Sequence, residues 1–144
     1  MSVLILEKDN GIGLLVMNRP EKLNSINPEM AEMLEEVMAQ VSEDDDIAVL
    51  VIRGEGRAFC AGGDFDLLKS LDTPAAARRC IRRLGRVVEI MQTMKKPVIA
   101  AVEGPAVGAG CNLALACDFV IASETSKFGE VFVNIGLVPD MGGA

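Results

Sequence analysis

The sequence predicts an α/β protein. Apolar strand-like runs alternate along the chain with amphipathic helix patterns, and glycine-rich loops follow the runs that are fully apolar. Half of the 144 residues are hydrophobic, which is enough for one domain with a substantial core. We therefore predict a single domain over residues 1–144, with no internal repeat or low-complexity linker.

The first third of the chain predicts a hairpin followed by a helix. Val3–Glu7 and Ile12–Asn18 are strand-like, and the turn sequence Lys8–Gly11 lies between them. Asn27 and Pro28 fit the N-cap and first helical positions. The apolar residues that follow recur at helical spacing, at Met30, Met33, Leu34, Val37, Met38 and Val41.

Later segments continue the alternation of strands and helices. Continuous apolar runs, typical of buried strands in a largely parallel sheet, are found at Ala48–Ile52 and Val98–Val102. A long helix is predicted to begin at Thr73-Pro74 and to end before Lys95. A short buried helix at Leu113–Ala116 and a strand at Phe119–Ala122 complete the prediction.

The missing residue types limit the possible chemistry. The chain contains no His, Tyr or Trp, which excludes Ser-His-Asp and Cys-His nucleophiles and every His-based metal site within these residues. Proton transfer would fall to Asp, Glu, Lys or Cys. We expect no metal, and the net charge of −7 argues against nucleic-acid binding.

Other features predict a cytoplasmic protein. The first residues lack the basic region of a signal peptide, and no apolar run reaches the roughly 18–20 residues of a membrane helix. The four cysteines have no disulfide-scaffold or CxxC spacing, so we expect reduced thiols.

Two glycine-rich loops, Gly54–Gly63 and Gly104–Gly110, each follow a predicted buried strand and precede a predicted helix. Glycines allow close backbone approach and leave N–H groups free at a helix N-terminus, where negative charge is favoured. Neither loop is a P-loop or a complete GxGxxG motif. Anion binding and simple tight packing of strand on helix are equally compatible with this pattern.

Five segments carry a more specific signal through their order and spacing. They are Asn18–Ile26, Gly56–Phe65, Lys96–Gly104, Gly108–Asp118 and Phe128–Gly143. Through them the chain resembles the crotonase (enoyl-CoA hydratase/isomerase) superfamily over essentially its whole length. The resemblance implies a ββα spiral core, truncated before the C-terminal helices that mediate trimerisation.

The resemblance also implies an acyl-CoA enzyme that stabilises a thioester enolate. It places the two oxyanion-hole donors on the backbone N–H groups of Gly63 and Ala109, and a catalytic carboxylate at Asp140. Composition alone would favour Asp140 as a turn residue after Pro139. The resemblance reverses that weighting, while nearby Glu130 is interpreted as a solvated strand residue.

The expected reaction follows from two departures from the family pattern. Asn112 and Phe132 occupy the positions of the two hydratase glutamates, and neither can transfer a proton. We therefore favour isomerase-type proton shuttling by Asp140 over hydration by non-standard residues. A non-catalytic acyl-CoA-binding or RNA-binding protein is the remaining alternative.

The resemblance further implies where the substrate binds and what assembles. The predicted substrate and CoA contacts are Lys22, Leu23, Ala61, Asp64, Phe65, Asn112 and Phe132. No cofactor is expected, since coenzyme A is part of the substrate. The full-length protein is expected to form a trimer or a dimer of trimers, without a membrane partner.

A basic cluster on the long helix has several interpretations. Five arginines form two stripes at helical spacing, one of Arg78 and Arg82 and the other of Arg79, Arg83 and Arg86. A solvated helix face is the simplest interpretation, and attraction of CoA phosphates is another. RNA binding is the least favoured, because there are only five phenylalanines, which we expect to be mostly buried, and no other stacking aromatics.

Overall fold

The chain begins with a β-hairpin that leads into a parallel sheet. The computed structural model describes residues 2–143, so the predicted domain 1–144 includes two terminal positions outside the described range. Strand β1 (Leu4–Asp9) pairs antiparallel with β2 (Ile12–Met17), as the turn sequence predicted. Strand β3 (Val49–Gly54) then pairs parallel with β2.

The main sheet has five strands in the order β1-β2-β3-β4-β6. Strand β4 (Val98–Val102) lies parallel to β3, and β6 (Phe119–Ala122) lies parallel to β4 at the edge. The α/β class and the largely parallel sheet are thus confirmed.

Helices cover the sheet, and their N-termini are capped where the sequence predicted. Helix α1 (Pro28–Glu43) begins after Asn27, whose Oδ1 accepts a hydrogen bond from Met30 N at 2.8 Å. Helix α3 (Pro74–Thr93) begins after Thr73, whose Oγ1 accepts from Ala76 N at 3.1 Å. Each cap satisfies an otherwise unpaired amide and contributes about 1 kcal/mol.

Short elements between these helices build the loops around the site. Helix α2 (Phe65–Lys69) follows the first glycine loop, and α4 (Ala109–Leu115) follows the second. Strands β5 (Pro105–Val107) and β7 (Lys127–Gly129) form a separate parallel pair. Two 3-10 turns lie at Pro20–Lys22 and Phe132–Ile135.

The structure corrects three details of the sequence prediction. The short helix begins at Ala109, not Leu113, because Gly108 is its N-cap and Gly108 O accepts a hydrogen bond from Asn112 N at 3.0 Å. Strands β5 and β7 were missed, since three residues are too few to give a periodic pattern. The phenylalanines are not mostly buried: Phe65, Phe119 and Phe128 are exposed.

The core lies between α1, α3 and the inner face of the sheet, where Leu15, Met17, Leu34 and Leu50 are fully buried. The far edge of the sheet is different, because all residues of β6 are exposed. Among the described residues, no helix is both long and apolar enough to cross a membrane.

Candidate functional site

The first glycine loop presents the amide of Gly63 on one side of an extended segment. Ile26 N donates to Gly62 O at 2.7 Å, and Asp64 N donates to Ile26 O at 2.9 Å. This parallel bridge uses the groups on either side of Gly63, so the N–H of Gly63 itself points away from Ile26. Within residues 2–143 it donates no recorded backbone hydrogen bond.

The second glycine loop presents the amide of Ala109 as the first residue of α4. The first N–H groups of a helix have no partner within it, and this amide has none in the rest of the described chain. Gly110 packs against the other loop so closely that a Cβ there would lie 2.3 Å from Cys60 O. A Cβ on Gly62 would lie 3.7 Å from Ala109 N, so the two loops are in direct contact.

Gly63 and Ala109 both line one apolar cavity of about 170 Å³, named here the central cavity. Helices α2 and α3 supply one wall, and the chain around the second 3-10 turn supplies the opposite one. The wall residues are Leu67, Leu68, Leu71, Cys80, Ile81 and Leu84 on one side, and Val131, Phe132, Ile135, Leu137 and Val138 on the other. Asp140 is the one carboxylate that lines it.

Asp140 is a perturbed carboxylate within this cavity. Burial raises the pKa of its carboxyl group to about 6, the nearby Asn112 amide opposes part of that rise, and the charge of Glu130 adds to it. Its Oδ1 atom is buried without a hydrogen-bond partner among the described residues. A carboxylate with this pKa and a free oxygen can accept and return a proton near neutral pH.

Asn112 holds the segment that carries Asp140. It is buried on α4, and its Nδ2 donates to the main-chain oxygen of Asp140 at 2.9 Å. Its side chain lies outside the central cavity, against Gly143, so the structure places it as a support for Asp140 and gives no direct evidence of substrate contact.

Phe132 forms part of the wall of the central cavity. It is the second of the two positions where the resemblance implies a glutamate in hydratases, the first being Asn112. Its ring is buried, and it lies 3.6 Å from where a Cβ on Gly108 would stand. An apolar ring here excludes water from the space beside the two amides.

Four of the seven predicted substrate and CoA contacts lie along a second depression of about 470 Å³, named here the outer groove. They are Lys22, Ala61, Asp64 and Phe65, and Phe65 is 80% exposed. Ala61 and Gly63 line both the outer groove and the central cavity, so the two spaces adjoin.

Two of the predicted contacts also have clear roles within the protein. Asp64 caps α2 by accepting from Leu67 N at 2.9 Å, and it forms an ion pair with Arg19 at 2.8 Å. Leu23 contributes its main-chain oxygen to Ala61 N at 3.0 Å and does not line the groove. These bonds fix the outer groove beside the Gly63 amide.

Sequence reasoning missed the residues that join the loops. Asn24 is fully buried and donates to the main-chain oxygens of Glu55 and Ala58, both at 2.8 Å, while its Oδ1 accepts from Arg19 N at 2.8 Å. No local pattern identifies these partners. The cavity wall on α3 could have been found, because Cys80, Leu84, Val87 and Met91 are spaced as one helix face.

The remaining ionisable groups near the site are less suited to proton transfer. Glu130 is exposed and does not line the central cavity, in agreement with its interpretation as a solvated residue. Burial raises the pKa of the Cys80 thiol, so it stays protonated near neutral pH. Among residues 2–143 no cluster of three His, Cys, Asp or Glu side chains could hold a metal.

The α/β core has an apolar cavity that is lined by two residues with free main-chain amides and by one carboxylate. A protein with this arrangement is suited to hold an anionic oxygen beside a base. The family model described as "Enoyl-CoA hydratase/isomerase" matches residues 7–144. The chain belongs to this family, the crotonase superfamily.

Relatives that are named for different activities are similar in sequence to this chain. The chain is 41% identical over 147 residues to 1,2-epoxyphenylacetyl-CoA isomerase of Escherichia coli, covering 99% of this chain and 56% of that protein. It is 38% identical to crotonyl-CoA hydratase of Syntrophomonas wolfei, with 97% and 54% covered. The chain thus spans about half the length of the curated relatives it matches.

Solved structures agree with the fold. A crystal structure of an enoyl-CoA hydratase/isomerase from Mycobacterium paratuberculosis superposes with a TM-score of 0.93 at 36% identity. The match covers 99% of this chain and 58% of that one.

Proposed function

We propose that the protein binds an enoyl-CoA thioester and moves a proton between its α- and γ-carbons, with Asp140 as the single acid–base group. One observation carries this proposal: Gly63 and Ala109, whose amides have no main-chain partner among the described residues, and Asp140 line the same apolar cavity. The thioester oxygen would accept hydrogen bonds from both amides, and the acyl chain would lie along Asp140.

The chemistry balances with one base. The Asp140 carboxylate removes a proton from the γ-carbon, and the electron pair shifts through the double bond onto the thioester oxygen, giving a dienolate. The two amides stabilise that oxygen, and loss of one such donor typically costs about 3–4 kcal/mol. The protonated Asp140 then returns the proton to the α-carbon, which restores the carboxylate.

The surroundings of Asp140 suit this role. The walls from α2, α3 and Phe132 limit the access of water to the substrate carbons, so an intermediate would be protonated by Asp140. Asp140 is half-buried, so its own proton can exchange with solvent during the lifetime of the dienolate. The raised pKa makes the Asp140 carboxylate a stronger base than an ordinary carboxylate, which favours removal of the proton from the γ-carbon. The outer groove with Lys22 would take the CoA portion.

Hydration is the second candidate, because a relative of this chain is named a hydratase. A hydratase needs a group that activates water, and among residues 2–143 Asp140 is the only carboxylate that lines the central cavity. The buried ring of Phe132 occupies wall space where that water would bind. We therefore place isomerisation first and hydration second.

The first prediction tests the role of Asp140. With trans-2-enoyl-CoA thioesters in deuterium oxide, the protein should exchange α- and γ-hydrogens, and Asp140→Asn should reduce this exchange by about 10²–10⁴-fold because it removes the base. Mass spectrometry measures the exchange, and formation of 3-hydroxyacyl-CoA in the same sample measures hydration.

Glu130→Gln is the matched control, since it removes an exposed carboxylate that does not line the central cavity. It should keep most of the exchange activity at pH 8, where the Asp140 carboxylate is ionised with or without the charge of Glu130. Hydration without exchange at the γ-carbon would favour the second candidate. Binding of CoA thioesters with neither reaction would overturn both and leave a binding protein.

Cytoplasmic localisation, a trimer-based assembly and independence from cofactors and metals remain predictions. Fractionation of cells and sedimentation of the purified protein would test the first two. Activity after dialysis against a chelator would test the third.

A further inference from the structure

Three spaces follow one another across this face of the molecule. The outer groove adjoins the central cavity through Ala61 and Gly63. On the opposite side, Leu67 and Cys80 line both the central cavity and a third space of about 190 Å³. The outer groove and this third space share no lining residue, so the central cavity separates them.

The third space, named here the arginine pocket, lies between α1, α2 and α3 and is lined by two arginines, Arg79 and Arg83. They lie one helical turn apart on the same side of α3. Leu67 and Cys80 line both this pocket and the central cavity, so the two spaces adjoin.

The two guanidinium groups have different partners. Arg83 pairs with Glu35 at 3.1 Å and with Glu32 at 3.4 Å, which fixes its position. Arg79 has no ion-pair partner within residues 2–143, so its charge is available. Because Arg86 also pairs with Glu35, at 3.5 Å, three arginines face two glutamates and the pocket keeps a positive charge.

Cys80 lines both the central cavity and the arginine pocket. Burial raises its pKa, the charge of Asp140 raises it further, and the charge of Arg83 lowers it. Cys80 therefore lies within electrostatic range of both groups. An acyl chain that starts at the two amides and passes Asp140 would continue toward Cys80 and the arginine pocket.

From this arrangement we infer that the arginine pocket binds a carboxylate at the far end of the acyl group, so that the preferred substrates are monothioesters of dicarboxylic acids. The inference rests on the proposed function, since it needs the thioester at the Gly63 and Ala109 amides. CoA phosphates are the other anionic source, but they would lie on the side of the outer groove. Arginine is well suited to the pocket because its planar group binds carboxylates through two hydrogen bonds.

The test compares thioesters that differ only at the far end of the chain. Pairs of trans-2-enoyl-CoA and trans-2-enedioyl-CoA of equal length, from six to ten carbons, are assayed for kcat/KM of hydrogen exchange. For at least one length the carboxylated member should be preferred, and Arg79→Gln should lower its kcat/KM about tenfold or more, because a hydrogen-bonded charge is lost. The methyl-ended member should be unaffected.

Arg82→Gln is the matched control, because Arg82 lies on the same helix but does not line the arginine pocket. It should leave both substrates unchanged. Equal loss for both members with Arg79→Gln would assign Arg79 to CoA or to folding, and no preference for the carboxylated member at any length would also overturn the inference. If only methyl-ended thioesters react, this inference fails while the proposed function stands.

A binding measurement separates the two failures further. Calorimetric titration with adipoyl-CoA and hexanoyl-CoA, saturated and unreactive, reports the far-end carboxylate without any turnover. Tighter binding of adipoyl-CoA that is lost in Arg79→Gln would support the arginine pocket even if exchange were absent. Equal affinities for both, at this length and at ten carbons, would overturn it.

Discussion

Asp140 is the residue on which the proposed chemistry depends, and its environment sets the pH at which it works. Burial, together with the charge of Glu130, raises the pKa of its carboxyl group to about 6. A raised pKa means that the carboxylate, which is the form that accepts a proton, is populated only at higher pH. Below that pKa the group is protonated and cannot act as the base.

A pH profile should follow from this shift. We expect kcat/KM for hydrogen exchange to rise through pH 6, about tenfold per unit below the inflection, and to level off above it. Glu130→Gln should move the inflection to lower pH, because the charge that disfavours ionisation is removed. Rates measured between pH 4 and pH 9 test both statements.

Asp66→Asn serves as the control for this shift. Asp66 is an exposed carboxylate of the outer groove and does not contribute to the pKa of Asp140. The inflection should stay in place. A profile that turns near pH 4, where an ordinary aspartate titrates, would contradict the role given to burial.

At the scale of elements, the two glycine loops are the features that bring the amides together. Gly62 has φ +90° and lies against Val107 O, where a Cβ would be only 2.9 Å away. Gly110 lies against the backbone of Cys60. The two loops can therefore approach each other this closely only because glycine has no Cβ. The positions of the two amides follow from that close approach.

Gly110→Ala should disturb this contact. Its Cβ would lie 2.3 Å from Cys60 O and 2.8 Å from Cys60 C, which are backbone atoms that cannot rotate away. We expect a loss of about 1–3 kcal/mol in the free energy of unfolding and a fall in kcat with it, because α4 must shift and takes the Ala109 amide along. Urea titration and exchange kinetics measure the two effects.

Gly85→Ala is the matched substitution in a different element. Gly85 lies inside α3, and a Cβ there meets nothing within 4 Å. Alanine is favoured in a helix interior, so the free energy of unfolding should rise by about 0.5–1 kcal/mol. If both substitutions had the same effect, contact between the loops would not be what requires glycine at position 110.

How much of the elements could be predicted depends on how local their signals are. Asn27-Pro28 and Thr73-Pro74 start helices through bonds to amides three residues away, so the sequence alone located α1 and α3. The ion pair of Arg19 and Asp64 joins residues 45 positions apart, and no local sequence pattern predicts it. The same holds for the bonds of Asn24 across the loops.

For a related reason, only part of the candidate site could be predicted from the sequence. Glycine patterns indicated two sets of free amides, and the resemblance to crotonases selected Gly63, Ala109 and Asp140, which the structure places around one cavity. Composition and spacing could not have chosen Asp140 over Glu130. The arginine pocket depends on how α1, α2 and α3 pack together, and that packing is a property of the fold.

At the scale of the whole molecule, one face is strongly apolar and open to solvent. It follows the edge strand β6 and the chain beyond it, where Phe119, Ile121, Val133 and Val138 are 61%, 66%, 79% and 81% exposed. Large apolar side chains that are exposed in this number favour association with another surface, and an unpaired edge strand adds free main-chain groups.

We expect a polypeptide of residues 1–144 to self-associate through this face. Sedimentation at increasing concentration should show a rising average mass, and Ile121→Lys should reduce it by placing a charge on the edge strand. Glu124→Lys, at an exposed position just after β6, adds the same side chain outside the strand and should leave the association in place. A constant monomer mass for the unmodified polypeptide would refute the expectation.

The reliance on main-chain donors has a consequence for variation at this site. Every amino acid except proline carries the N–H that Gly63 and Ala109 present, so a mutational survey would find position 109 permissive to small residues and closed to proline. Tolerance of small side chains at position 109 would indicate that the main-chain N–H, and not the side chain, performs the function there. Proteins that evolve from such a fold can change the acidic or basic residue near the same pair of amides. They could acquire new reactions in this way while the site that stabilises negative charge stays the same.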